Sequence, residues 1–244
     1  MEINQAVLLK WIDDVLKKAK AYQQILVAAG VGAIILGSVI FGYSYYKNKV
    51  RAAAYKDFMS AIQSYDGVIK NKNVSSSYPS VKQFESENDK WTQTEQLFRQ
   101  GYLNYKNTEL APAFLAFQAE ALLNLGKVDD AIKILKDVVN QVKSEEIKDS
   151  YKVKIALISM DKKDEKVQRE ALNELIAIAN NDGSVANEVA LYQVGSYFWN
   201  QKKYNEAKDY WQRLLVKTTA KSGQVSVFAG EVRDKLSLIT AESL

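Results

Sequence analysis

Hydrophobic positions are distributed along this chain in two different ways. Residues 21–46 read AYQQILVAAGVGAIILGSVIFGYSYY, a run of 26 residues without Asp, Glu, Lys or Arg. A helix rises about 1.5 Å per residue, so roughly 20 such residues match a ~30 Å hydrocarbon core. The run therefore predicts a transmembrane helix over 21–46. The first 20 residues predict an amphipathic tail, with Leu8, Trp11, Ile12, Val15, Leu16 and Ala19 on one face. That tail reads either as an interfacial helix or as a continuation of the span into water. Over 50–244 the pattern changes: apolar residues recur with helical spacing, and no alternating strand pattern stands out. The polar, Ser-rich stretch 71–80 contains Pro79 and predicts a loop between helices at 48–70 and 84–105.

The next region repeats. LAFQAEALLNLGKVDDAIKILKDVV starts at Leu115, and LYQVGSYFWNQKKYNEAKDYWQRLL starts at Leu191. Laid over each other, Ala119 falls on Gly195, Leu122 on Phe198, Val128 on Tyr204, Ala131 on Ala207, Leu135 on Trp211 and Val138 on Leu214. This is the helix–turn–helix pattern of tetratricopeptide repeats. Small residues sit where paired helices approach, and large apolar ones fill the space between pairs. The positions assigned to repeat packing are Ala119, Gly126, Ala131, Ala171, Gly195, Phe198, Tyr204, Ala207 and Trp211. A weaker copy runs through Ile155, Ile158, Ser159, Ala171, Leu175 and Ile178. A solenoid end exposes an apolar face, so the apolar stripe Val225, Phe228, Ala229, Val232, Leu236 and Ile239 predicts a capping helix. A free amphipathic tail is the alternative.

The expected architecture is an all-α, tetratricopeptide-like helical repeat solenoid with one N-terminal transmembrane helix. Its parts are a tail (1–20), the span (21–46), membrane-proximal helices and a loop (47–106), repeats (107–220) and a capping helix (221–244). Basic residues flank the span equally, with Lys10, Lys17, Lys18 and Lys20 before it and Lys47, Lys49, Arg51 and Lys56 after it. The positive-inside rule is therefore a tie. A short basic tail is easily retained while a long domain is translocated, which favours a cytoplasmic N-terminus.

Composition narrows the chemistry. The 244 residues carry a formal charge of +4. Residues 1–46 contribute four Lys against Glu2, Asp13 and Asp14, or +1, which leaves +3 interspersed over the rest. Such a balance does not point to nucleic acid. With no Cys there is no thiolate nucleophile or disulfide, and with no His the usual general base and zinc ligand are missing. Gly30 and Gly32 do not make a dinucleotide motif, because Ile35 stands at the third glycine position. The carboxylates Asp129, Asp130, Glu145, Glu146, Asp161, Asp164 and Glu165 read as solvated turns and first-turn helix charges. No catalytic residue, metal, cofactor or small-molecule substrate is expected, and the chain is not read as an enzyme.

Two binding features remain. Ala29, Ala33 and Gly37 form a small-xxx-small stripe that would let a second helix approach in lipid. Ala and Gly are also simply common in membrane helices. A repeat array offers a concave surface lined by the first helix of each pair. Its groove positions would be Glu120, Leu123, Asn124, Met160, Tyr192, Ser196, Trp199 and Asn200, a face suited to an extended or helical peptide. Alternatively a helix from 48–105 fills the groove.

The order of parts resembles the YfgM family, ancillary subunits of the bacterial SecYEG translocon. The resemblance rests on the span ending in Phe41, Tyr43, Tyr45 and Tyr46, and on the small-residue helix RAAAYKDFMSAIQSY. It continues through NTELAPAFLAFQA leading into the first repeat, and through the closing VSVFAGEVRDKLSLI. It implies a single-pass protein of the bacterial inner membrane, with a cytoplasmic N-terminus and a periplasmic C-terminal domain. It further implies an adaptor at a SecYEG-type translocon that links exported proteins to a PpiD-type periplasmic chaperone. A cell-envelope or division scaffold using the same groove, or a stress-response regulator acting through its tail, are the competing readings.

Overall fold

The computed structural model describes residues 5–21, 23–70, 81–220 and 226–242, with side chains described for 7–18, 20, 35–70, 81–217 and 226–239. The chain divides into two units, 1–55 and 56–244.

The first unit holds α1 (Gln5–Ala21) and the larger part of α2 (Gln23–Tyr65). On α1, Lys17 pairs with Asp13 one turn away at 3.0 Å, and Trp11 and Leu16 are exposed. The transmembrane expectation is corrected here. Among the described residues, no helix is long and apolar enough to cross a membrane. The span over 21–46 is withdrawn, and so is the single-pass inner-membrane location with its cytoplasmic N-terminus and periplasmic domain. Of the proposed helix-contact stripe, the Ala29 and Ala33 side chains lie outside the described residues. A Cβ on Gly37 would meet nothing within 4 Å.

The second unit is the helical repeat. After the end of α2 come β1 (Val68–Ile69), β2 (Gln83–Phe84), α3 (Glu87–Tyr105), α4 (Ala111–Asn124), α5 (Val128–Gln141), α6 (Glu145–Met160), α7 (Glu165–Ala179), α8 (Asn187–Asn200), α9 (Tyr204–Ala220) and α10 (Ala229–Glu242). The two strands pair in parallel, Val68 with Gln83 and Ile69 with Phe84. Two residues are too few for alternation to register in a sequence. The Val68 and Lys70 N–H groups donate to the Lys82 and Phe84 carbonyls at 3.0 and 2.8 Å, and Gly67 makes room for the Phe84 ring, from which a Cβ there would lie 2.4 Å. The 71–80 loop lies outside the described residues.

Local chemistry sets the helix ends. Ser86 caps α3 by accepting from the Asp89 N–H, Ser144 caps α6 by accepting from Ile147, and Asp164 caps α7 by accepting from Lys166 and Val167. Pro112 sits in the first turn of α4, where no intrahelical N–H bond is lost. At the end of α4, Gly126 takes φ 71° while the Lys127 N–H reaches the Leu122 carbonyl at 2.9 Å. That is a glycine C-cap turn, so Gly126 belongs to the turn and not to the helix crossing. Lys202 holds the equivalent place after α8, at φ 59°, with the Lys203 N–H on the Phe198 carbonyl at 2.9 Å.

Each hairpin crosses at a pair of small buried residues: Ala119 with Ala131, Ser159 with Ala171, and Gly195 with Ala207. The members of every pair stand twelve positions apart. The third crossing is tight. A Cβ on Gly195 would lie 2.4 Å from the Trp211 indole. Trp211 is wholly buried, and its Nε1–H donates to the Tyr192 carbonyl at 3.2 Å. In the first hairpin the smaller Leu135 packs with Ala119. Large against Gly and medium against Ala is volume compensation at one site of the repeat.

The turn into α8 carries a polar network. Asn187 is fully buried, and its Nδ2 donates to the Ile178 and Ala179 carbonyls at 3.2 and 2.8 Å. Its Oδ1 accepts from Lys217 Nζ at 2.7 Å, and Arg213 Nη2 donates to the Ala179 carbonyl at 2.8 Å. The last carbonyls of α7, which have no helical partner, are thereby satisfied from α8 and α9.

Two substitutions test this packing. A non-glycine residue at positive φ costs about 1 kcal/mol, so Lys202→Gly should raise the urea midpoint, whereas Lys202→Ala should not. Gly195→Ala should lose about 1–3 kcal/mol by overpacking against Trp211. Combining it with Trp211→Leu, the Ala/Leu pairing of the first hairpin, should leave the double variant more stable than the two separate losses sum to, by about 1 kcal/mol or more.

Candidate protein-interaction surface

The hairpins are layered. In the first helices, none of residues 111–123, 151–160 or 187–199 is wholly exposed. The second helices α5, α7 and α9 alternate buried with exposed residues: Ala131, Leu135 and Val138 face in while Lys133, Lys136 and Asp137 face water. So α4, α6 and α8 form a recessed inner layer, and α5, α7 and α9 an outer one. A period near 3.6 with one apolar stripe produces the outer helices. Inner helices such as α4 (APAFLAFQAEALLN) are apolar on nearly every side.

The groove positions distribute along this inner layer. Glu120 on α4 is half-buried and ion-paired with Lys154 on α6. Burial pushes the Lys154 ammonium below its ordinary pKa. Leu123 packs into the cluster of Ala119, Leu122, Ala131 and Leu135, and Met160 packs against the α6–α8 core. Asn124 and Asn200, each the last residue of its helix, are exposed. Asn124 donates back to the Glu120 carbonyl at 2.8 Å, and the Ser196 hydroxyl donates to the Tyr192 carbonyl at 2.9 Å.

Tyr192 and Trp199 do not open into a groove, because α10 lies across them. The Tyr192 ring stacks on Phe228 at 4.2 Å and 15°, and its hydroxyl donates to Glu231 at 2.7 Å. Trp199 meets Trp211 at 5.5 Å and Tyr204 at 5.1 Å. Lys235 stands over both indoles, at 5.8 Å from Trp199 and 5.3 Å from Trp211, and pairs with Glu231 at 2.7 Å. Burial first, and then the Glu231 bond, push the Tyr192 phenol up. The Lys235 bond, followed by the Tyr192 bond, holds Glu231 below the usual carboxylate range. Of the other packing positions, Ala119, Ala131, Ala171, Ala207 and Trp211 are buried, while Phe198 and Tyr204 are half-buried.

The opposite end is closed by α2. Phe58 makes edge contacts with Phe98 at 5.7 Å, Phe114 at 5.2 Å and Phe117 at 5.5 Å, and Phe98 stacks on Phe117 at 5.1 Å. Gly101 makes room: a Cβ there would lie 2.1 Å from the Phe114 ring. These rings, Asn187 and the Glu231–Lys235 pair carry no signal in the repeat pattern. Gly101 within an otherwise helical stretch is the one cue to a close approach. Between the two ends, the inner surface from Glu120 through Lys154 to Gln193 remains half-exposed. Among the described residues, no group of three His, Cys, Asp or Glu could hold a metal ion.

The match to known proteins follows the same boundaries. Residues 87–234, from the first residue of α3 into α10, match the family described as Tetratricopeptide repeat protein 21 N-terminal ARM repeat. Among solved structures, the chain is similar to nearly identical TPR-like repeats of a putative kinesin light chain from Podosopora anserina. One crystal structure, of a single-substitution variant of those repeats, is 14% identical with a TM-score of 0.45, covering 62% of this chain and 77% of that one. Another, also 14% identical, has a TM-score of 0.43 and covers 73% and 92%. These likenesses are remote, and the architecture stands on the helix pairs described above. No curated protein matches the chain. The family match spans more than half of the chain, which belongs to the tetratricopeptide repeat protein 21 N-terminal ARM repeat family.

Proposed function

We propose that this chain is a non-catalytic protein-interaction adaptor that receives a partner segment on the inner layer of its repeat. The observation that carries the reading is the recessed layer of α4, α6 and α8 between the closed ends. Its half-buried Glu120, Lys154 and Gln193 offer polar contacts on an otherwise apolar floor. Recessed surfaces of this kind suit an extended or helical peptide, with a few polar groups fixing orientation. The repeat family supports protein binding in general. The resemblance to YfgM proteins puts forward a SecYEG-type translocon and a PpiD-type chaperone as partners, with exported chains as clients.

Site-specific photo-cross-linking tests both levels. A photoreactive residue at Asn124, Lys154 or Gln193 should give discrete protein adducts, while one at the exposed outer positions Lys133, Asn173 or Lys208 should give few. Equal capture from the outer helices would contradict the inner-layer reading. Inner-layer adducts that contain neither translocon subunits nor a chaperone would remove the translocon assignment and leave the adaptor standing.

A further inference from the structure

The contacts that hold α10 combine an apolar underside with several directional groups. Among its described residues, only Ala229 and Val232 of α10 are fully buried. Leu236 and Phe228 pack with Val232 against Ala207 and Trp211, and to this apolar contact are added a ring stack, Phe228 on Tyr192, a charged hydrogen bond from Tyr192 to Glu231, and a cation, Lys235, over Trp199 and Trp211. Phe228, Glu231, Val232 and Lys235 recur at helical spacing and make one face, while Arg233 and Asp234 turn to water. Covering a solenoid end requires only an apolar underside and a polar outside. A stacked ring, an oriented acid and a cation above two indoles instead form a recognition pattern, the aromatic and charged anchors of helix-in-groove binding.

We infer that Tyr192, Trp199 and Trp211 form a helix-binding cleft in which α10 is the resident ligand, and that a partner helix of the same pattern competes for it. The pattern is Phe-Ala-x-Glu-Val-x-x-Lys: an aromatic residue, then a small one, an acid three positions after the aromatic, a Val next, and a Lys four positions after the acid. The acid meets the Tyr192 hydroxyl, the Lys meets the indole faces, and the small residue and Val fill the contact with α9. The inference rests on the adaptor reading and adds the chemistry of one partner segment. It places that segment at the α8–α9 end, separate from the α4 and α6 surface.

The test uses the full chain and a fluorescent peptide of residues 226–242 (SVFAGEVRDKLSLITAE), followed by anisotropy. A cleft that is open for a fraction of the time binds in proportion to that fraction, so burying a carboxylate through Val232→Asp in the chain should tighten peptide binding about tenfold or more. The same substitution in the peptide should abolish binding. Emission from Trp199 and Trp211 should shift as Lys235 leaves. Phe228→Ala in the chain loosens the stack without burying a charge and should tighten binding in the same direction. If Val232→Asp unfolds the domain, Phe228→Ala decides alone. Folded variants that bind the peptide no better than the unsubstituted chain would overturn the inference. So would a variant that dimerises without capturing peptide, which would assign the cleft to a second copy's α10. The assay reads only the α8–α9 cleft, so its failure leaves cross-links from Asn124 and Lys154 to stand or fall separately.

Discussion

Everything in the repeat depends on how closely two helices can approach at three crossings. Ala119 with Ala131, Ser159 with Ala171, and Gly195 with Ala207 each bring backbones together where a larger side chain would hold them apart. Once a hairpin closes, its first helix is buried by its own partner and by the next hairpin, and becomes recessed. Its second helix keeps one face in water. The inner layer is thus a consequence of the crossings, and so is the surface it offers. Trp211 shows how narrow the tolerance is. The indole fits only because position 195 has no Cβ, and it then uses its N–H on the Tyr192 carbonyl.

The two ends of the array solve the same problem by different chemistry. At one end α2 lays Phe58 into a cluster of phenyl rings, and Gly101 lets Phe114 close on the α3 backbone. That contact is apolar and shape-fitted. At the other end α10 packs Val232 and Leu236 against Ala207 and Trp211 and adds a stack, a charged hydrogen bond and a cation over indoles. Contacts of this second kind are directional, and their partners can be replaced by groups of the same chemistry.

The hairpins are legible in the sequence because the crossing imposes both a small residue and a fixed distance to the next one. Ala119, Ala131, Gly195 and Ala207 can therefore be found without a structure. The groove is less legible. A helical face shared by Tyr192, Ser196 and Trp199 can be read from spacing, but which helix lies across that face cannot, and α10 covers it. The rings at Phe58, Phe98 and Phe114 are far apart in the chain, so no local pattern joins them. Lys202 carries no mark of its left-handed backbone, since lysine is an ordinary turn residue by composition. The uncharged stretch 21–46 illustrates the limit of counting: among the described residues, no helix is long and apolar enough to cross a membrane.

The most direct measurement places one substitution at two positions on α7. Ala171 lies at the crossing with α6, and Ala177 on the same helix is exposed. Replacing each by Leu adds identical apolar volume and is close to neutral in helix propensity. Urea unfolding of the two variants isolates the effect of position. If small residues at the crossings hold the array together, Ala171→Leu loses about 1–3 kcal/mol and Ala177→Leu stays within about 0.5 kcal/mol of the parent. Equal losses, or a stable Ala171→Leu chain with an unchanged midpoint, would contradict the account.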